Sequence, residues 1–379
     1  MRTVRPGAPS LADLTPYDPK YLPARVYLNA NESPYGLPEP VIGELVDALS
    51  GQMLHRYPDP LAKGLRARVA EIHGVDEDNV LLGNGGDELL FDIMLAYGGK
   101  GRKLLTAPPS FSSYELDACL TATTLVEIPR VERLFSGDGR EGCIAEGVGI
   151  DVELGVDEDA ILNRVRQGDI DVVMLASPNN PTGDVLGKEF VVALLDSSDA
   201  VVLIDQAYVE FADSSFDMTP LLKRHENLGI LRTFSKAYAL AGIRLGYLLA
   251  STQVISELCK VRQPYSVDTF SMLAGKSVLA YQDVFSRRVE ESIAERKRVA
   301  RALRGISGVT VYASEANYLL MKVAGAQQIW QRLYDEQGIL LRDFSSAPYL
   351  KDCLRVSIGA PKENDEFLET FKEMVDEAS

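Results

Sequence analysis

The chain has 379 residues, enough to bury a sizeable core and to divide into two domains. Its 39 Lys and Arg against 55 Asp and Glu leave a formal charge of −16, a field that disfavours nucleic acid and anionic membrane surfaces as partners, since both are polyanions. No apolar run approaches the roughly 20 residues of a membrane helix, and Met1 to Ser10 lack the apolar core of a secretion signal, so a cytoplasmic location is expected.

Met1 to Tyr21, with closely spaced charges and prolines, reads as an extended arm. Glu39 to Leu54 carries apolar residues at helical spacing (Ile42, Leu45, Val46, Leu49), and Leu61 to His73 predicts a second amphipathic helix. From Asn79 onward strands alternate with helices. The strands centre near Val80, Leu104, Leu125, Val173, Val202, Ile230 and Leu245, and helical patterns near Leu89, Leu116, Ile161 and Val192 lie between them. Such alternation predicts an α/β fold with a mainly parallel sheet of seven strands covered on both faces. Arg130 to Gly155 breaks the rhythm. It is rich in glycine and charge, has no clear period, and reads as a surface loop or short hairpin. Asp268 to Tyr281 and Asp283 to Arg304 predict consecutive helices, the second long and charge-laced, suited to bridging two domains. Strand patterns near Val309, Asn317 to Val323, Ile339 and Leu354, with helices at Ala326 to Glu336 and Asn364 to Asp376, then predict a small α+β domain. The expected division is an arm with part of the small domain in 1–44, a large domain in 45–284 and a small C-terminal domain in 285–379. Cys119, Cys143, Cys259 and Cys353 are widely spaced and read as reduced thiols. His55, His73 and His225 lack ligand spacing, so no metal is expected.

The chemistry concentrates where predicted strands end. Ser235 and Lys236 close the largely apolar run Leu228 to Phe234, and Arg244 precedes another apolar run, Leu245 to Ala250. A lysine that forms an imine needs a site that lowers its pKa and orients a carbonyl partner. An arginine and a serine hydroxyl beside it suit a phosphate. An imine-forming lysine with a phosphate anchor points to pyridoxal phosphate (PLP). Ser177-Pro-Asn-Asn-Pro-Thr-Gly183 forces a turn after Asp171 to Ala176, and leaves asparagine amides at the strand's carboxyl end. Val201 to Asp205 is a buried-strand pattern ending in an acid, with Tyr208 close behind. Leu81-Leu-Gly-Asn-Gly-Gly-Asp-Glu-Leu89 gives a strand, a glycine turn and an acidic helix start, which offers free N–H groups to an anion. Open α/β sheets bind ligands at this edge. An ionised Asp205 on a buried strand needs a cation, and a pyridinium N–H supplies one. A surface position for Lys236 and a helix N-cap role for Asp205 are the competing readings.

These motifs resemble the fold-type I PLP-dependent aminotransferases of class I and II, and within them the histidinol-phosphate aminotransferases. The resemblance begins at Leu28-Asn-Ala-Asn-Glu-Ser-Pro-Tyr-Gly36. It continues through Arg56-Tyr-Pro-Asp59, Ser177 to Gly183, Asp205 to Tyr208 and Arg232 to Tyr247, and ends at Cys353-Leu-Arg-Val-Ser-Ile-Gly359. It implies that Lys236 forms the imine and then shuttles a proton, that Asp205 meets the ring nitrogen, and that Asn180 and Tyr208 bond to the ring oxygen. It further implies a phosphate cup of Ser235, Arg244 and the backbone at Gly86 and Asp87. Phe111 falls where the family usually stacks a tyrosine on the ring, a departure that drops the hydroxyl and keeps the stacking face. Arg355, an arginine in an apolar strand pattern, requires an anion, and the resemblance makes that anion the substrate carboxylate. By the same likeness Arg342 binds substrate phosphate, Tyr17 of the arm covers the substrate, and Tyr57 reaches the cofactor phosphate of a homodimer partner. For Asn180 a plain turn role competes, for Phe111 a core role, for Arg342 a pair with Asp343, and for Tyr17 no role at all.

The resemblance implies a transaminase with a small-molecule amino donor and a 2-oxo acid acceptor: histidinol phosphate and 2-oxoglutarate, in histidine biosynthesis. An aromatic or broad-specificity aminotransferase is the nearer rival. A PLP-dependent phosphothreonine decarboxylase is a rival from another enzyme class, and a regulatory cofactor-binding module ranks last.

Overall fold

The computed structural model describes residues 22–51, 54–135 and 151–378. The arm with Tyr17, Cys143 and the centre of the glycine-rich segment lie outside the described residues.

Strand β1 (Val26–Leu28) is followed by helices α1 (Glu39–Ser50) and α2 (Lys63–His73). Next come β2 (Val80–Asn84), α3 (Gly85–Tyr97), β3 (Lys103–Thr106), α4 (Ser113–Leu120), β4 (Thr124–Glu127), β5 (Val131–Phe135) and β6 (Asp151–Gly155). The alternation continues with α5 (Glu158–Val165), β7 (Val172–Ala176), α6 (Lys188–Asp196), β8 (Val201–Asp205), β9 (Leu228–Thr233) and β10 (Leu245–Ala250). Then follow α7 (Thr252–Val261), α8 (Thr269–Ala280), α9 (Gln282–Arg304), β11 (Val309–Val311), β12 (Tyr318–Val323), α10 (Ala326–Gln337), β13 (Ile339–Asp343), β14 (Cys353–Ser357) and α11 (Pro361–Ala378).

Seven strands pair in the order β2-β10-β9-β8-β7-β3-β4. These are the seven that the sequence predicts. From β9 to β4 neighbouring strands run parallel, whereas β10 is antiparallel to both β9 and β2. Strands β7 to β10 are buried at every position, as their largely apolar sequences require of strands covered on both faces, and the charge of Arg232 within β9 is paired with Asp217 and Glu210. The two-residue period sorts the side chains. Val202 and Ile204 pack with Phe190 and Leu194 of α6, while Leu203 and Leu231 pack with Leu89 and Ile93 of α3 on the other face.

A second sheet has the order β1-β13-β14-β12-β11. Its core joins Leu319 and Val356 to Phe367 and Phe371 of α11 and Leu303 of α9. Helix α9 also places Phe285 in the core of the larger sheet, so it spans both cores. The irregular segment includes an antiparallel hairpin, with Val131 opposite Gly155 and Phe135 opposite Asp151. The hairpin leans on the smaller sheet. The Ala313 N–H donates to the Val152 carbonyl at 2.8 Å, and the Tyr312 hydroxyl donates to Glu132 Oε1 at 2.6 Å.

The sequence reading did not foresee β1 or α7. Three residues are too few to show a period, and β1 is recognisable by its parallel pairing with β13. Helix α7 did carry a start signal, because the Ser251 hydroxyl caps it by accepting from the Val254 N–H at 3.3 Å.

Candidate active site

The carboxyl ends of β7, β8 and β9 and the amino end of α3 border a cleft of about 480 Å³. It brings together Gly86, Asp87, Phe111, Asn180, Asp205, Tyr208, Ser235, Lys236, Arg244, Arg342 and Arg355, which are scattered over the sequence.

One end of the cleft is built for an anion. Strand β2 stops at Asn84, and Gly85 at φ +78° turns the chain into α3. Gly246 of β10 lies beneath that turn, where an added Cβ would come within 2.8 Å of the Gly85 carbonyl carbon and the Gly86 nitrogen. Two glycines thus let a helix start press against the sheet. The first N–H groups of α3 have no helical acceptor, and they sit at the positive end of the helix dipole. Arg244 closes the cradle from a left-handed backbone (φ +56°), and its Nη2 donates to the Asp87 carboxylate at 2.7 Å. Both partners of that pair are about half exposed, so it contributes little to stability. An anion in the cradle competes with Asp87 for the guanidinium. Ser235 is buried beside it.

The centre of the cleft holds Asp205 and Lys236. Asp205, the last residue of β8, accepts the Tyr114 hydroxyl on Oδ2 at 2.9 Å and the Ala207 N–H on Oδ1 at 3.0 Å. Both donors are neutral. Burial is the largest influence on this carboxyl and pushes its pKa up to about 6, against the pull of the two hydrogen bonds. The Lys236 ammonium donates to the Ala30 carbonyl at 2.9 Å and lies 5.6 Å from the Tyr208 ring centre. The Tyr208 hydroxyl accepts from Asn31 Nδ2 at 3.0 Å. Asn31 is itself buried, and its N–H donates to Ser357 Oγ at 2.8 Å. The Phe111 ring meets Tyr114 edge-on at 5.9 Å.

The far end gathers two arginines. Arg342 of β13 and Arg355 of β14 are register partners, so both side chains leave the same face of the smaller sheet. Their guanidinium carbons lie 5.9 and 5.5 Å from the Phe344 ring. Arg355 donates to Asn180 Oδ1 and, at 2.6 Å, to the Asn29 carbonyl. Asn180 is therefore more than a turn residue, because its amide oxygen tethers an arginine across the cleft. The turn it stands on is braced from below by the enclosed ion pair of Arg130 with Asp184, Nε to Oδ1 3.1 Å, both side chains essentially inaccessible.

Tyr57 lies elsewhere. It is 82% exposed and stacks on Tyr265 at 4.6 Å between ring centres. The sequence reading missed two participants, Tyr114 and Asn31. Tyr114 stands one helical turn beyond Phe111, and Asn31 sits within the Asn29-Ala-Asn-Glu32 motif. Nearness to other site residues was visible in the sequence, but the partner of neither residue was.

The donor set fits PLP: an anion cradle at one end, and in the middle a buried carboxylate with neutral partners and a lysine. An α/β fold that presents this set at the carboxyl edge of its main sheet is the scaffold of a transaminase. Residues 24–371 match the family of class I and II aminotransferases. Histidinol-phosphate aminotransferase 1 of Carboxydothermus hydrogenoformans is 38% identical over 367 residues, 97% of each chain. The histidinol-phosphate aminotransferase of Chlorobaculum tepidum is 34% identical over 353 residues, 93% of this chain and 94% of that one. The solved structure of histidinol-phosphate aminotransferase from Sinorhizobium meliloti in complex with pyridoxal-5'-phosphate shares the fold. Its TM-score is 0.86 at 24% identity, covering 100% of this chain and 99% of that one. The chain belongs to the class I and II aminotransferases, and within them to the histidinol-phosphate aminotransferases.

Proposed function

We propose that this chain binds PLP and exchanges the amino group of L-histidinol phosphate for the keto group of 2-oxoglutarate, giving imidazole-acetol phosphate and L-glutamate in histidine biosynthesis. The observation that carries the reading is the pairing of Arg342 with Arg355 on adjacent strands, facing an anion cradle across one cleft. A chain of net charge −16 repels anionic substrates at long range, so it must concentrate positive charge where they bind. Residues 45–284 form the cofactor domain in this reading, and 285–379 with part of 1–44 form the domain that carries the arginines. The two separate apolar cores support that division.

When bound, the cofactor supplies an electron sink for the substrate α-carbon. The Gly86 and Asp87 N–H groups, the Ser235 hydroxyl and Arg244 hold its phosphate. Phe111 stacks on the ring, Asp205 faces the ring nitrogen, and Asn180 and Tyr208 bond to the ring oxygen. Lys236 Nζ would hold the cofactor's aldehyde carbon, and once free of it would take the proton from the substrate α-carbon and deliver it to the cofactor carbon it had held. Arg355 receives the carboxylate of glutamate or 2-oxoglutarate. Arg342, with Tyr17 of the arm, receives the phosphate of histidinol phosphate.

A half-reaction screen tests this reading. Holoenzyme is mixed with histidinol phosphate, glutamate, phenylalanine, tyrosine or phosphothreonine, and pyridoxamine phosphate and CO2 are followed. Faster conversion of phenylalanine or tyrosine than of histidinol phosphate supports the aromatic aminotransferase instead, and CO2 from phosphothreonine supports the decarboxylase. Arg342→Gln is expected to weaken the histidinol phosphate half-reaction by about 2 kcal/mol or more, the scale of a lost charge-assisted contact. It should leave glutamate less affected. Arg355→Gln should harm glutamate at least as much. Equal losses with both substrates in both variants contradict the assignment of separate anions.

The enzyme works as a homodimer in this reading, with Tyr57 completing the partner's phosphate cup. Its exposed ring adjoins Tyr265, and Ile42 and Val46 on α1 are also exposed, an apolar surface that a second copy would cover. Mixing inactive Lys236→Ala chains with weakened Tyr57→Ala chains should restore activity, because a mixed dimer contains one intact site. No rise after proven subunit exchange overturns the shared site.

A further inference from the structure

We propose that Tyr114 is a positioning residue for the reaction: its hydroxyl holds Asp205 in the orientation and charge state that grips the ring nitrogen of the cofactor. The inference rests on reading the cleft as a PLP site.

Tyr114 stands in the first turn of α4 and is 1% exposed. Its ring packs in the apolar cluster with Leu90, Ile93, Ala118 and Met174. A phenylalanine would fill that space equally well, so packing does not account for the oxygen. A buried hydroxyl needs a partner, and this one reaches Asp205 Oδ2 at 2.9 Å. The Ala207 N–H secures the other oxygen. A carboxylate offers about four lone-pair positions, so two neutral donors fix its plane while leaving its charge and a free lobe for a cation in the cleft.

The charge state follows from the same contacts. Burial favours the neutral acid at Asp205, Asp87 adds to that pressure, and the Tyr114 and Ala207 hydrogen bonds and Lys236 oppose it. The phenol stays a donor, because burial and the neighbouring Asp205 hold its own pKa well above the ordinary value. Removing the hydroxyl therefore removes a restraint on the carboxylate and one of the forces keeping it ionised. Tyr114 also supports Phe111 edge-on. A purely structural role would act through that contact, on the stacking of any flat ring.

The test separates the two by binding rather than turnover. The apoprotein is titrated with PLP and with its 1-deaza analogue, in which C–H replaces the ring nitrogen. Tyr114→Phe is expected to weaken PLP binding about tenfold, the scale of one hydrogen bond to a charged group. It should leave the analogue unchanged or bound more tightly. Equal weakening of both ligands, or of neither, overturns the proposal. In an Asp205→Asn background Tyr114→Phe should have no further effect on PLP affinity, and a full additional tenfold loss there also overturns it. If Tyr114→Phe does not fold, 3-fluorotyrosine placed at position 114 alone gives a stronger donor of nearly the same size. It should tighten PLP and not the analogue, and no difference between the ligands counts against the idea. A wild-type apoprotein that binds neither ligand removes the underlying cofactor reading, a result distinct from all of these.

Discussion

Lys236→Ala should lower turnover by about 10⁴-fold or more, since on the proposed assignment one amine would supply both the covalent hold on the cofactor and the proton transfer at the substrate α-carbon. The rest of the site should survive the change. Lys236 follows β9 by three positions, and its ammonium donates to the Ala30 carbonyl, so its removal leaves the cradle of Gly86, Ser235 and Arg244 in place. The variant should therefore still take up PLP while failing to turn over. Borohydride reduction of the wild type followed by peptide mapping should put the phosphopyridoxyl group on Lys236. A label on any other lysine removes the central assignment, whatever the activity of the variant.

The main sheet was legible because strands β7 to β10 are buried on both faces, and such strands are written in largely apolar runs ending at a polar turn. Where those runs stop, Asp205 and Lys236 stand at the same edge. The parallel order that aligns the edges follows from the helices between strands. The contacts that cross from one sheet to the other were not legible. Nothing in the spelling of Asn29 and Asn31 says that a carbonyl will meet Arg355 and an amide will meet Tyr208. Those meetings depend on how the β1 strand joins the smaller sheet beside β13, which three residues cannot announce. Tyr114 was hidden for a related reason. Its place in an apolar helical face reads as core, and its hydroxyl acquires meaning through Asp205, about ninety positions away in sequence. The register of Arg342 with Arg355 likewise exists only once β13 and β14 pair.

Asp205→Ala should cost about 10³-fold in kcat, the upper range for deleting one group aimed at charge that develops in a reaction. Asn180→Ala should cost about tenfold in kcat/KM for glutamate, the scale of one hydrogen bond to a charged group. The geometry explains the difference. Asp205 is buried at the edge of the cleft, fixed on both oxygens, and placed to face a cationic ring nitrogen. On the proposed assignment, a ring without it would lose the partner that lets it accept electrons from the substrate. Asn180 makes its recorded bond to Arg355, which keeps a second acceptor in the Asn29 carbonyl. Its loss should therefore appear chiefly in the KM of the carboxylate substrate, because a loosened Arg355 meets that carboxylate less well. Steady-state kinetics with glutamate, together with the cofactor absorbance of each variant, distinguish the two effects. Matching losses of kcat in both variants place the electronic role elsewhere than Asp205. A fall in kcat confined to Asp205→Ala, with KM rising in Asn180→Ala, separates the residue that acts on the cofactor ring from the one that steers an arginine.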